Sequence, residues 1–434
     1  MRRPLDAGND LRSDYRTPSH SWAAGTGPGL ASTAADNDPS GIATYCLAAA
    51  QWGYGMLAAS VLSYPFVVAL QLVSAHIAAV TGHGLTENLR AHDARPVLYF
   101  VVARFLLANL LNIAANIMAM GTGMYLICSG HPMLWAVLAT LVSAMLQWFV
   151  RYERYARVIQ WLSVGLFVYA GAVWVVHTPW DLALLRSFVP RLEWSKDFLE
   201  MLLAVLGTTI SPYLLFSQAE QEVEALHARI AGRPPGESAA IRQGHLRKMR
   251  HDIVIRTACS NAAAWFVLAA TAATLHTGGH TINTLADAQG ALYPIAGRFA
   301  PSVLGLLLIG TALLAMPPLA GSAANASVSA FGLQHGAARD RRIAYVLFAL
   351  MAVGLVAAVT LLALQVEPLH ILYLSAVFNG ATVAPVIVLI AQLSIKPPMI
   401  RDLRAHWSLR AGTWVASGAI SVVLCAWFAS EVFS

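Results

Sequence analysis

The chain has 434 residues, of which 57% are hydrophobic and only 12% are charged. Apolar residues recur in stretches of about 20 separated by short loops that hold nearly all the charge, which excludes an ordinary soluble enzyme and predicts an all-α polytopic membrane protein. The net charge of +6 calls for no nucleic acid, because basic loops facing anionic lipid account for it.

Residues 1–24 are polar and mixed in charge, with no apolar core of the kind a secretory signal needs, and predict a disordered cytoplasmic tail. Eleven spans follow, at about 25–53, 55–80, 96–124, 132–150, 156–177, 198–218, 252–275, 298–328, 343–365, 368–394 and 411–430. With the N-terminus inside, 22 of the 28 Lys and Arg fall in internal segments and four, Arg186, Arg191, Lys196 and Arg298, in outer loops. That asymmetry predicts a cytoplasmic N-terminus in a plasma membrane, here a bacterial inner membrane. Cys46, Cys128, Cys259 and Cys425 are scattered over apolar segments, so they read as packing residues.

The first span is interrupted by Ala34-Ala35-Asp36-Asn37-Asp38-Pro39-Ser40-Gly41. Neither side of this polar break is long enough to cross the hydrocarbon alone, and loose peptide groups at membrane depth survive only where they line protein or a watery cavity. A second break of the same character, Gly207-Thr208-Thr209-Ile210-Ser211-Pro212-Tyr213, interrupts the sixth span, and Pro39 and Pro212 stand 173 residues apart. Paired breaks of this kind mark the substrate site of a transporter built from inverted repeats, here about 25–177 and about 198–395. Residues 396–434 then form a cytoplasmic loop and a peripheral eleventh helix.

Asp36 and Asp38 are the acidic residues that fall near the middle of a span, where a carboxylate is functional by default. Asp38 also suits the cap of a helix that starts at Pro39, and the two roles are compatible.

The segments DPSGIATY, GYGMLAASVLSYPF and VLGTTISPYLLFSQAEQEVE resemble the first and sixth spans of the natural resistance-associated macrophage protein family of divalent-metal transporters. The resemblance extends over about residues 25–395 and implies a leucine-transporter-like fold of two inverted five-helix repeats. It also implies a divalent cation held between the unwound first and sixth helices and moved by alternating access. Its manganese and iron transporters carry Asp-Pro-Gly-Asn and Met-Pro-His where this chain has Asp38-Pro39-Ser40-Gly41 and Ser211-Pro212-Tyr213. Losing the asparagine and the methionine removes a soft sulfur and enlarges the site, which suits Mg2+ with several waters retained. The chain is similar in this to the branch of related magnesium transporters.

The resemblance implies the metal-site positions Asp38, Gly41, Thr208 through its carbonyl, Ser211 through its hydroxyl or a water, and Asn379; an interhelical hydrogen bond beside Gly380 is the alternative for Asn379. It also places Asn116 where transition-metal members carry an acid in the proton path, and Tyr213 where they carry a histidine. Neither side chain titrates near neutral pH, so transport uncoupled from protons is expected. Asn109, Asn112 and Asn116 share one helix face, as polar packing or a hydrated pathway requires.

Asp36, Asn116, Gln218 and Glu222 are candidate pathway residues, with a solvated helix end answering Arg229 and Arg233 as the competing reading of the last two. His276 and His280 read as surface residues of an outer loop. No cofactor is expected beyond the transported ion, Mg2+ with Mn2+ as the alternative, and the sequence shows no obligate protein partner. The competing functions are a proton-coupled Mn2+/Fe2+ transporter of the same family and an amino-acid transporter of the same fold. Asp38 would repel the substrate carboxylate of the latter.

Overall fold

A computed structural model describes residues 37–93, 95–150, 159, 165–230, 235–332, 337–396 and 407–433. All the regular elements among them are helical. Helix α1, Pro39–Trp52, begins where extended Asp38 caps the first turn and Pro39 supplies a preset φ. It stops at Gly53, whose φ of 54° turns the chain into a 3₁₀ turn, Gly53–Met56, before α2, Leu57–Thr81.

Short α3, Leu85–His92, leads to α4, Arg95–Cys128, and then α5, Pro132–Phe149. After α6, Val168–Val175, and α7, Trp180–Phe188, the second break separates α8, Lys196–Thr209, from α9, Pro212–Ile230. The chain ends with α10, Pro235–Thr271; α11, Ala300–Ala330; α12, Ala337–Ala363; α13, Pro368–Ser394; and α14, Trp407–Phe433.

Nine runs among the described residues are long and apolar enough to span, against the eleven expected. Two causes account for the difference. Pro39–Thr81 forms one apolar run of 43 residues. At 1.5 Å per residue that is about 65 Å, twice the hydrocarbon thickness, so its 3₁₀ turn separates two crossings. The expected fifth span retains only Gly165–Val175 within the described residues. The leading part of the first span, residues 25–36, lies outside them, as does the proposed tail.

Burial separates scaffold from periphery. The apolar window of α13 is 78% buried, whereas those of α5 and α14 are 17% buried. Leu134, Leu141, Met145 and Trp148 on α5 are exposed as a lipid-facing surface requires.

Two features hold the broken helices in place. Asn37 donates to the carbonyl and hydroxyl of Ser260 on α10, while Ser60 and Asn261 exchange side-chain and backbone hydrogen bonds between α2 and α10. On the other side, α8 presses Gly207 against the backbone of Ala376 and Gly380 on α13, leaving no room for a Cβ. This approach of small residues is a common membrane packing device, and it brings Asn379 beside the second break.

Candidate metal site

Asp38 supplies the carboxyl at the centre of the site, and the residue is only 2% exposed. Oδ1 accepts from the Ser40 hydroxyl at 2.6 Å and from the Gly41 N–H at 3.0 Å. The sequence-level alternative of a helix cap is therefore realised, and it uses one oxygen only. Oδ2 is buried with no hydrogen-bond partner, so half of the carboxylate remains for another ligand.

Thr208 faces this group from the second break. Its Oγ1 stands 3.5 Å from the Ser40 hydroxyl, and a Cβ built on Gly41 would lie 3.2 Å from it. The Tyr45 ring lies 3.5 Å from the same point, so the Thr208 hydroxyl and this ring flank Gly41. Ser211 Oγ donates back to the carbonyls of Gly207 and Thr208, at 3.1 and 2.9 Å. These bonds satisfy helix-end carbonyls that lack partners once Pro212 restarts the helix. Tyr45 donates to Thr209 Oγ1 at 3.1 Å, since the threonine hydroxyl donates to Val205, and this bond clasps the two breaks together. Tyr213 is 1% exposed.

Asn379 and Asn112 form a reciprocal amide pair, each nitrogen donating to the other's oxygen at 2.9 and 3.2 Å. The interhelical reading of Asn379 is therefore present, and its oxygen retains a second lone pair. Asn116 is fully buried; its nitrogen donates to the Asn112 carbonyl at 2.8 Å, and its side chain lies against Asp38. Asp36 falls outside the described residues.

Beyond the site, Phe105 of α4 stacks on Phe216 of α9 with centroids 4.3 Å apart, and both rings are buried. Further along α9, Gln218 donates to Glu222 at 2.7 Å, and Glu222 meets His245 of α10 at 2.7 Å. The solvated-end reading of these two residues is incorrect, because 5% of Gln218 and 9% of Glu222 is exposed. Arg339 of α12 likewise donates to Glu87, Asn325 and Ser329, each at 2.8 Å. His276, exposed as expected, holds the Ala50 carbonyl at 2.9 Å.

Sequence reasoning missed His245, Arg339 and Glu87 as partners. Nothing local announces pairs so far apart in the chain, whereas Asn112 was visible in its asparagine stripe.

A charged break meeting a neutral break inside a bundle of apolar helices defines the class: a secondary transporter with two inverted repeats and broken first and sixth helices. A family model described as natural resistance-associated macrophage protein-like matches residues 29–430. The chain belongs to that family of divalent-metal transporters, and it is an integral membrane transporter rather than an enzyme.

Among solved structures, the fold is similar to that of a manganese transporter of Eremococcus coleocola in complex with an aromatic bis-isothiourea substituted compound. The TM-score is 0.65 at 16% identity, covering 94% of this chain and 90% of that one. It is also similar to Mhp1, a nucleobase-cation-symport-1 family transporter in a closed conformation, with TM-score 0.53 and 12% identity over 96% of each chain. At these identities the likeness concerns the fold.

Proposed function

We propose that the chain carries Mg2+, bound partly hydrated between the two breaks, by alternating access and without a coupled proton. The observation that carries this reading is the donor set. Asp38 Oδ2, the Ser40 and Thr208 hydroxyls and the carbonyl of Thr208 are all oxygens, and sulfur is absent from these positions. Hard oxygen ligands with one carboxylate suit an ion that keeps much of its water, whereas a thioether favours transition metals.

Asn116 and Tyr213 take the places of the titrating groups that the resemblance associates with proton movement. A divalent ion drawn inward by the membrane potential gains about 4.6 kcal/mol per 100 mV, enough to drive uptake alone. The charge asymmetry of the loops supports a cytoplasmic N-terminus.

The second reading is proton-coupled Mn2+ transport, the activity that the resemblance associates with the transition-metal members of the family; the structural neighbour from Eremococcus coleocola is itself a manganese transporter. Uptake of Mg2+ and Mn2+ into proteoliposomes with an internal pH dye separates the two. The Mg2+ reading expects saturable Mg2+ uptake, lost in Asp38→Ala, with no acidification that tracks it. Strong preference for Mn2+ together with acidification would establish the second reading instead.

A further inference from the structure

The loop that follows α10 gathers two histidines around one cavity. A turn of π-helix, Ala272–His276, ends α10, and the chain then folds back on itself. The Gly279 N–H donates to the His276 carbonyl at 3.1 Å, and the His280 N–H donates to the Leu275 carbonyl at 2.9 Å. Gly279, at φ 67°, makes the reversal, so His280 sits beside the last turn instead of beyond it. Ala50, Gln51, His276, His280, Thr281 and Asn283 line the resulting cavity of about 430 Å³, at the end of α1. His276 Nδ1 lies 2.9 Å from the Ala50 carbonyl, which can only accept, so Nδ1 carries the proton and Nε2 the free lone pair. A Cβ on Gly53 would stand 2.7 Å from His276 Nε2, and one on Gly278 would stand 3.3 Å from His280 Nε2. In both places glycine leaves uncovered the ring edge that carries Nε2.

We propose that His276 and His280 form a site for a borderline transition-metal cation of the Zn2+ class, separate from the site around Asp38. Imidazole nitrogen suits Zn2+ and Ni2+, whereas Mg2+ takes oxygen donors. A ligating histidine almost always gives its other ring N–H to a carbonyl, a carboxylate or water, which fixes the ring and strengthens the lone pair. His276 already has that arrangement with Ala50. No group of three or more His, Cys, Asp or Glu suited to a metal occurs among the described residues, so the remaining positions fall to water or to the Gln51 and Asn283 amide oxygens. The site is therefore open, and weaker than a structural Zn2+ site with four protein ligands. Ala50 belongs to the last turn of α1, so the ion is tied through His276 to the end of the first broken helix.

The test is calorimetric titration of Zn2+ into the purified, tag-free full chain carrying Asp38→Ala, which takes the other carboxyl site out of the count. Wild type saturated with Mg2+ serves instead if that variant does not fold. One Zn2+ per chain is expected, and excess Mg2+ should not displace it. His276→Ala and His280→Ala, each in that background, should weaken Zn2+ binding at least about 10-fold. His276→Asn keeps a side-chain N–H for the Ala50 carbonyl but lacks Nε2, so it should melt like its parent and lose Zn2+ as fully as His276→Ala. Retained binding in His276→Asn would overturn the ligand role of Nε2, and retained binding in His280→Ala would overturn the pair. A parent that binds no Zn2+ would overturn the site outright. The Mg2+ reading stands or falls separately, in the uptake assay.

Discussion

The two breaks solve the same problem by different means. At the first, Asp38 caps the restarting helix with one oxygen of its carboxyl and leaves the other without a partner. At the second, the loose carbonyls are served by Ser211, and the segment is fixed by the close approach of Gly207 to α13. The first break is electrostatically unfinished and the second is packed shut. On the proposed cation reading, affinity resides mainly on one side of the site and shape on the other, which the inverted repeat alone would not suggest.

Substitution at the first break should therefore separate binding from stability. Asp38→Asn keeps a good cap but removes the charge, so Mg2+ binding is expected to fall by more than about 100-fold. Ion-free melting should stay the same or rise, since a buried carboxylate without its counter-ion is unfavourable. A large fall in ion-free stability would show that the charge serves the fold instead. At the second break the pattern reverses. Gly207→Ala drives a Cβ into the backbone of Gly380 and Ala376, which cannot rotate away. Overpacking of this kind costs about 1–3 kcal/mol, and the melting temperature should drop with or without ion. Undisturbed melting would mean that the helices slide apart freely at this crossing.

How much of this the sequence reveals follows the same division. The first break is legible because its chemistry is local: Asp38, Pro39, Ser40 and Gly41 are neighbours, and their cap needs no distant residue. The second was legible as an interruption, but not as a packed surface, because the partner of Gly207 lies in α13. Asn379 was placed near the ion by resemblance, and the contact it makes, with Asn112, depends on how α4 and α13 approach. The buried Glu222–His245 and Glu87–Arg339 pairs were unreadable for the same reason. A glutamate at the end of an apolar helix reads as solvated until a second helix covers it. The boundary between the first two spans, placed at residues 53–55 by the sequence, coincides with the 3₁₀ turn at Gly53–Met56, although hydropathy alone runs through it unbroken.

The smallest effect expected is also the most specific. Ser211 spends its hydroxyl proton on the carbonyls of Gly207 and Thr208, so Ser211→Ala leaves both with one donor fewer. Ion-free stability should fall by about 1 kcal/mol, the usual net worth of a hydrogen bond. If the Thr208 carbonyl faces the ion, losing that donor makes it a better ligand. Saturating Mg2+ should then restore more stability to Ser211→Ala than to wild type, the reverse of Asp38→Asn, which Mg2+ should not stabilise at all. Melting with and without Mg2+ measures both. Equal losses for Ser211→Ala under the two conditions would remove the Thr208 carbonyl from the site and leave the second break a purely structural joint.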